Sequence, residues 1–181
     1  MNCYENLPWM KIHDFLSEVG NERQLEALCK KALCKIDELI PYDLACVAYI
    51  NEYREITFAE TINLEPKWND LYVNYYDAID PCKKKVPEKA KTLYTDWRKY
   101  WHTEFGNDFA RAVGFDFTTS IVLHNQHGRI YALLFFCRSK CSYGFSELEL
   151  ATLQMIQPHL TNLYINLDLL KSQKYIGNTL F

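Results

Sequence analysis

The chain is poor in the residues that loosen a polypeptide. Six glycines and six prolines among 181 residues exclude a collagen-like repeat and a long flexible linker. Charge of neither sign dominates. Twenty Lys and Arg stand against 23 Asp and Glu, a net charge of −3, so no global basic field draws in nucleic acid. No run of about 18 apolar residues is present, which argues against a membrane-spanning helix. The longest apolar runs, Leu44 to Ile50 and Ile130 to Cys137, have the length of strands. The opening MNCYENLPWMKIHDF lacks a basic segment followed by an apolar core, so no signal peptide is expected. The cysteines number seven, an odd count, and Cys46 and Cys137 lie inside apolar runs. That speaks against a secreted disulfide framework and for a reducing, cytoplasmic setting. G-x-S-x-G, H-E-x-x-H and a phosphate-cradling glycine loop are all missing, and no nucleophile stands beside a base. The chain is therefore not expected to be an enzyme, nor to carry a metal or cofactor.

What is present is aromatic. Thirteen Tyr, 10 Phe and 4 Trp make 15% of the chain, and such side chains fill cores and line small-molecule pockets. A 49% hydrophobic and 24% charged composition excludes wholesale disorder, and the length fits one domain. Trp9, Ile12, His13, Leu16 and Val19 recur at helical spacing, and Leu25, Leu28, Cys29, Ala32, Ile36 and Leu39 form a second stripe that Pro41 stops. Leu44 to Ile50 reads as a buried strand, with a second strand over residues 56–61 pairing back. Pro66 opens a helix carrying Trp68, Leu71, Tyr72, Tyr75, Tyr76 and Ile79, closed by Asp80-Pro81. Short helices from Trp97 to Val113, a hairpin of Phe117 to His124 with Ile130 to Cys137, and a long helix over 146–171 complete the order. Ser146 and Glu149 form a capping box for that last helix, and Pro158 within it is expected to kink or split it. A fifth strand is placed near Leu93-Tyr94-Thr95. Hairpins dominate, which predicts an α+β fold: an α-β-α sandwich around a central antiparallel sheet of about five strands. N-terminal helices span 9–40, the core 44–138 and the C-terminal helix 146–171.

The stretch PKWNDLYVNYYDAIDP concentrates the chemistry. Trp68, Tyr72 and Tyr76 fall at i, i+4 and i+8, each an apolar body with one polar tip, and Asp80 adds an acceptor at the helix end. Such a set suits a small amphipathic ligand. The plain alternative is an aromatic core stripe with Asp80 in a turn. The loop Cys82 to Lys91 carries five lysines and one glutamate, and reads as a solvated loop or an anion contact. Cys137 and Cys141, with His124 and His127 across the hairpin, lack the two tight pairs of a zinc site. Cys82 lies among lysines that could lower a thiol pKa, an opening for redox chemistry. His13 and His159 read as satisfied core histidines.

The ordered spacing P-x-W-x3-Y…Y-x3-D-P resembles the ligand-binding domain of LuxR-type transcription regulators, in the autoinducer-binding and GAF-like branch. Phe109-Ala110, Gly114-Phe115, Gly128, Arg138, Phe145-Ser146-Glu147 and Pro158-His159-Leu160 continue the series over roughly 45–165. The resemblance implies a ligand cavity on one side of the sheet, with Trp68 and Asp80 hydrogen-bonding the ligand's polar head and Tyr72 and Trp97 lining the cavity. It implies a small-molecule-sensing regulatory domain that signals through dimer-forming helices. Three departures stand out. Leu64 replaces a Tyr, Leu134 falls by ungapped counting where a Ser or Thr belongs, and one residue fewer separates Trp68 from Asp80. The two lost hydroxyls disfavour an acyl-homoserine lactone, because a buried amide loses about 1–3 kcal/mol per missing partner. The family's helix-turn-helix module needs about 60 residues. Ten residues follow Lys171 in this sequence, so no DNA binding by this chain alone is expected. The partners expected are a small ligand and a second copy of the chain. A dimerisation scaffold with a filled core, its partner surface on the stripes of 22–40 and 146–171, is the alternative. A thiol-dependent enzyme using Cys82 or Cys141 is a third reading.

Overall fold

The strand Ile130–Arg138 is apolar at nearly every position because both of its faces are covered and both of its edges are paired. It is β5 of a five-stranded antiparallel sheet with the order β2-β1-β5-β4-β3. The other strands are β1 (Leu44–Ile50), β2 (Ile56–Ile62), β3 (Thr92–Asp96) and β4 (Phe117–His124). A computed structural model provides this architecture, and it describes residues 3–53, 55–83, 86–139 and 143–178. The α+β sandwich expected from the hairpins is the observed fold, and the fifth strand lies where Leu93-Tyr94-Thr95 placed it.

One face of the sheet packs against α1 (Trp9–Gly20), α2 (Leu25–Ile36) and a long terminal helix. Ile12, Leu28, Ile36, Val47, Ile121, Leu134, Phe136, Leu153 and Leu160 meet in this core. The stripe of α2 is wholly consumed by it, so it is not the open partner surface of the scaffold reading. In α1 the buried face is Ile12, Phe15 and Val19, while Trp9 is 48% exposed. The other face is covered by α3 (Pro66–Leu71), a π-helical turn (Tyr72–Tyr76) and α4 (Asp77–Ile79). A second run, Trp97–Tyr100, a π-helical turn Phe105–Ala110 and α5 (Arg111–Val113), covers it beside them. The single aromatic helix expected over 66–79 is thus interrupted. The wider turn sets both Tyr72 and Tyr76 against Phe109, with ring centroids 5.6 and 4.8 Å away.

The terminal helix, α6 (Glu147–Asn178), opens on the capping box read from Ser146 and Glu149. The Ser146 amide donates to Glu149 Oε2 at 2.7 Å and the Glu149 amide to Ser146 Oγ at 3.3 Å. Pro158 does not split the helix, which continues past residue 171. Gln157, buried beside that proline, donates to the Val122 carbonyl at 2.8 Å and pins α6 onto β4. No described helix is long and apolar enough to cross a membrane.

Arg138 closes the far end of the sheet. Its guanidinium donates to the Pro41 carbonyl at 2.8 Å, grips both oxygens of Glu149 and lies 4.2 Å from the Phe145 ring centroid. Burial alone would raise the Glu149 carboxyl, but the bonds from Arg138 and Ser146 outweigh it and hold the group below its ordinary value of 4.5. A lowered folded-state pKa contributes stability above 4.5 that is lost as pH falls through the folded value. The melting temperature is therefore expected to drop on acidification below that point, and Glu149→Gln is expected to flatten the drop. A Cβ on Gly106 would stand 2.0 Å from the Tyr100 carbonyl oxygen, whereas one on Gly20 meets nothing within 4 Å. Gly106→Ala should cost about 1–3 kcal/mol in urea unfolding, and Gly20→Ala should be neutral or stabilising.

Candidate ligand-binding site

Side chains alternate across a pleated sheet, and paired residues on adjacent strands share a face. Two rows face the aromatic layer. Thr95, Thr118, Cys137 and Leu44 form one, and Leu93, Ser120, Phe135 and Cys46 the next. Above them Trp97, Phe105, Phe109, Phe115 and Tyr76 are buried together, with Trp68, Tyr72 and Cys82 half-buried at their margin. The rings meet mostly edge to face or tilted, including Trp97 with Phe105 at 5.0 Å and Trp68 with Phe109 at 6.0 Å.

All four residues picked from the sequence come to this side of the sheet, but not to one task. Trp97 is 5% exposed and its indole N–H donates to Thr118 Oγ1 at 2.8 Å, which in turn lies 3.4 Å from Cys137 Sγ. Its polar tip is spent on the sheet. Tyr72 donates from its hydroxyl to Asp80 Oδ2 at 2.9 Å, and the Cys82 amide donates to Asp80 Oδ1 at 2.7 Å. Trp68 joins them through Phe109, which both Trp68 and Tyr72 touch. Burial raises the Asp80 carboxyl above its ordinary value of 3.8, and those bonds recover only part of the shift. Burial and the neighbouring Asp80 push the Tyr72 phenol far up, so Tyr72 remains a donor.

Two residues escaped the sequence reading. Ser120 is 0% exposed, and its hydroxyl has no partner among the described residues. Phe135, beside it in the middle of the central strand, is nevertheless reached by solvent. A side chain so placed is accessible only where the layer above leaves room for water-sized molecules, so an opening lies over β5 and β4. Tyr72 stands within electrostatic reach of Cys46 on β1, and Cys82 Sγ is 3.7 Å from Thr95 Oγ1 on β3. Asp80, bonded to both, therefore lies over β5 and β4 where the two rows adjoin, one holding Phe135 and Ser120 and the other Cys137 and Thr118. The alternation of FTTSIVLH already places Thr118, Ser120 and Val122 on one face. What the sequence lacked was which face.

The register also corrects the reading of Leu134. It is 1% exposed and belongs to the opposite core, so it cannot stand in for a missing pocket hydroxyl. Leu133, Phe135 and Cys137 are the β5 residues on the aromatic side. The case against an acyl-homoserine lactone loses one of its two supports, leaving Leu64, half-buried in the loop after β2.

The remaining candidates sort quickly. Cys46 and Cys137 are buried, and burial pushes the Cys137 thiol up to about 12. Cys141 lies outside the described residues, as do Lys84 and Lys85. Lys83 pairs with Asp77, while Lys89 and Lys91 are exposed. His124 Nε2 lies 2.8 Å from the Glu88 carbonyl, and the described residues hold no group of three or more His, Cys, Asp or Glu able to bind a metal. His13 and His159 are exposed and line a groove of about 400 Å³ between α1 and α6, so neither is a core histidine.

No family model matches the sequence, and no curated protein matches it. Solved structures do. The fold is GAF-like. The GAF domain of a phosphoenolpyruvate-protein phosphotransferase from Coxiella burnetii superposes with a TM-score of 0.66 at 14% identity, covering 95% of this chain and 99% of that one. The N-acylhomoserine lactone dependent LuxR-family transcription factor CepR2 from Burkholderia cenocepacia gives 0.60 at 15% identity, covering 86% and 91%. The GAF domain of a sensor histidine kinase from Pseudomonas syringae pv. tomato gives 0.60 at 11%, covering 91% and 92%.

The raised Asp80 pKa has a stability consequence of opposite sign to that of Glu149. The folded state holds the proton more tightly, so the cost of the buried charge is present above the folded pKa and vanishes as pH falls below it. Asn can keep the bond from the Cys82 amide and donate to the Tyr72 oxygen. Asp80→Asn is expected to raise the melting temperature more at pH 7 than at pH 4, as followed by circular dichroism.

Proposed function

We propose that the chain is a ligand-sensing regulatory domain, similar in plan to the sensor half of LuxR-type regulators, which binds a small amphipathic molecule between the sheet and the aromatic layer. The observation that carries this reading is the solvent-reached Phe135 at the centre of the sheet, beside the orphan hydroxyl of Ser120 and below the Tyr72–Asp80 pair. A hydroxyl buried without a partner costs about 1–3 kcal/mol, which a ligand or water in the opening would recover. The likeness to a lactone-dependent transcription factor and to GAF domains from a kinase and a phosphotransferase supports the same assignment. Ligand binding would stabilise the closed layer by mass action. The change would pass to α6 through Gln157, which holds the Val122 carbonyl of β4, and a second copy would read it at the α1 and α6 faces. Catalysis, and DNA binding by this chain alone, are not part of the proposal. The working compartment is the cytoplasm.

The mutual packing of the rings and the spent Trp97 indole favour a second reading, a dimerisation module whose aromatic layer is simply core. Phe135→Trp separates the two. If the opening is real, the larger ring fills it, raises the melting temperature by a few degrees and abolishes any ligand-induced shift. If the layer is sealed, overpacking costs about 1–3 kcal/mol and the melting temperature falls.

A further inference from the structure

The polar groups around the opening are unbalanced. Asp80 offers a carboxylate to it, and the described residues place no basic side chain on that carboxylate. Lys83, the nearest described lysine in sequence, is spent on Asp77 Oδ2. Asp77 Oδ1 is itself buried with no partner among the described residues, and Asp77 lies close enough to Asp80 to raise its carboxyl. Ser120 adds a second oxygen, 0% exposed and without a partner among the described residues, from the sheet side. Among the described residues, two carboxylates against one ammonium leave one negative charge uncompensated, in a place where burial disfavours it. The walls are aromatic faces: Tyr72 stands edge-on to Phe58 at 5.5 Å, and Trp68 closes the margin. The outer surface of Trp68 already accommodates a cation, since Lys67 Nζ lies 5.3 Å from its ring centroid.

We infer that the opening takes an organic cation, a small apolar body ending in an ammonium group, with the ammonium on Asp80 and the body against Tyr72, Trp68 and Phe135. The inference rests on the ligand-sensing reading above and narrows it. An ammonium neutralises the unpaired charge, uses the spare oxygens of Asp77 and Ser120 as acceptors, and gains from the ring faces. A neutral amide head satisfies acceptors but leaves the charge. A carboxylate head meets two like charges.

Three probes with the same phenyl and four-carbon body separate these cases: 4-phenylbutylammonium, 4-phenylbutanamide and 4-phenylbutyrate, titrated by calorimetry into the full chain. The ammonium is expected to bind at least about tenfold more tightly than the amide, a difference of about 1.4 kcal/mol, with the carboxylate weakest. Asp80→Asn, which the buried charge makes no less stable than the parent, should weaken the ammonium by about tenfold or more and the amide by far less. Trp68→Leu should weaken the ammonium more than the amide. An amide that binds as tightly as the ammonium, or an ammonium indifferent to Asp80→Asn, overturns the cation and leaves the sensing site standing. Silence of all three probes at about 10 mM also overturns it. In that case Phe135→Trp decides the wider reading: a raised melting temperature keeps the opening, and a lowered one removes it.

Discussion

Everything in this domain hangs on the pairing of β5 between β1 and β4. Once both edges of Ile130–Arg138 are hydrogen-bonded, its side chains are divided between two faces with no freedom left. A slip of one residue would exchange Leu134 and Phe136 for Leu133 and Phe135 and invert both cores. The same pairing fixes Cys46 beside Phe135 and Ser120 beyond it, so the floor of the candidate site is a property of register. Arg138 locks the end of that strand to the start of β1 and to the first turn of α6 through one guanidinium.

The two faces solve different physical problems. The helical face is a conventional aliphatic core in which α2 and α6 bury nearly all their apolar stripes. The aromatic face is built from short, wide-turned segments that bring large rings together edge to face. The layer does not seal the sheet everywhere, since Phe135 in the middle of the central strand is reached by solvent. Tyr72, Asp80 and the Cys82 amide hold one another in place, while Ser120 and Asp77 each keep an oxygen unused among the described residues. A rim that is partly self-satisfied and partly open can exchange internal bonds for ligand bonds at modest cost, as the proposed sensing role would require.

Much of this was legible in the sequence because it is encoded locally. The period-2 and period-3.6 patterns located the strands and main helices, and Ser146 with Glu149 marked the start of α6. Proline and aspartate punctuated the aromatic stretch. Trp68, Tyr72 and Asp80 could be grouped because they lie within a few helical turns. The errors share one cause, which is that they needed partners distant in the chain. Ungapped counting carries no register, so it cannot show that Leu134 faces the helical core. That the Trp97 indole N–H is spent on Thr118, 21 residues away, is equally invisible to local spacing. Helical periodicity leaves the phase of a stripe uncertain by a residue, so it does not separate the exposed His13 and His159 from core positions. The π-helical turn at Tyr72–Tyr76 has no signal of its own in the aromatic pattern.

By itself, then, the sequence determined the class of fold, the order of its elements and the chemical character of the aromatic segment, since each follows from local propensity and short-range spacing. Only the tertiary structure decided which polar tips are spent and which remain open. Trp97 and Ser120 are both buried groups on the same side of the sheet, yet one finds a hydroxyl and the other does not. That difference is made by contacts between β3, β4, β5 and the segments folded over them, and hydrogen-bond satisfaction is a property of three-dimensional neighbours.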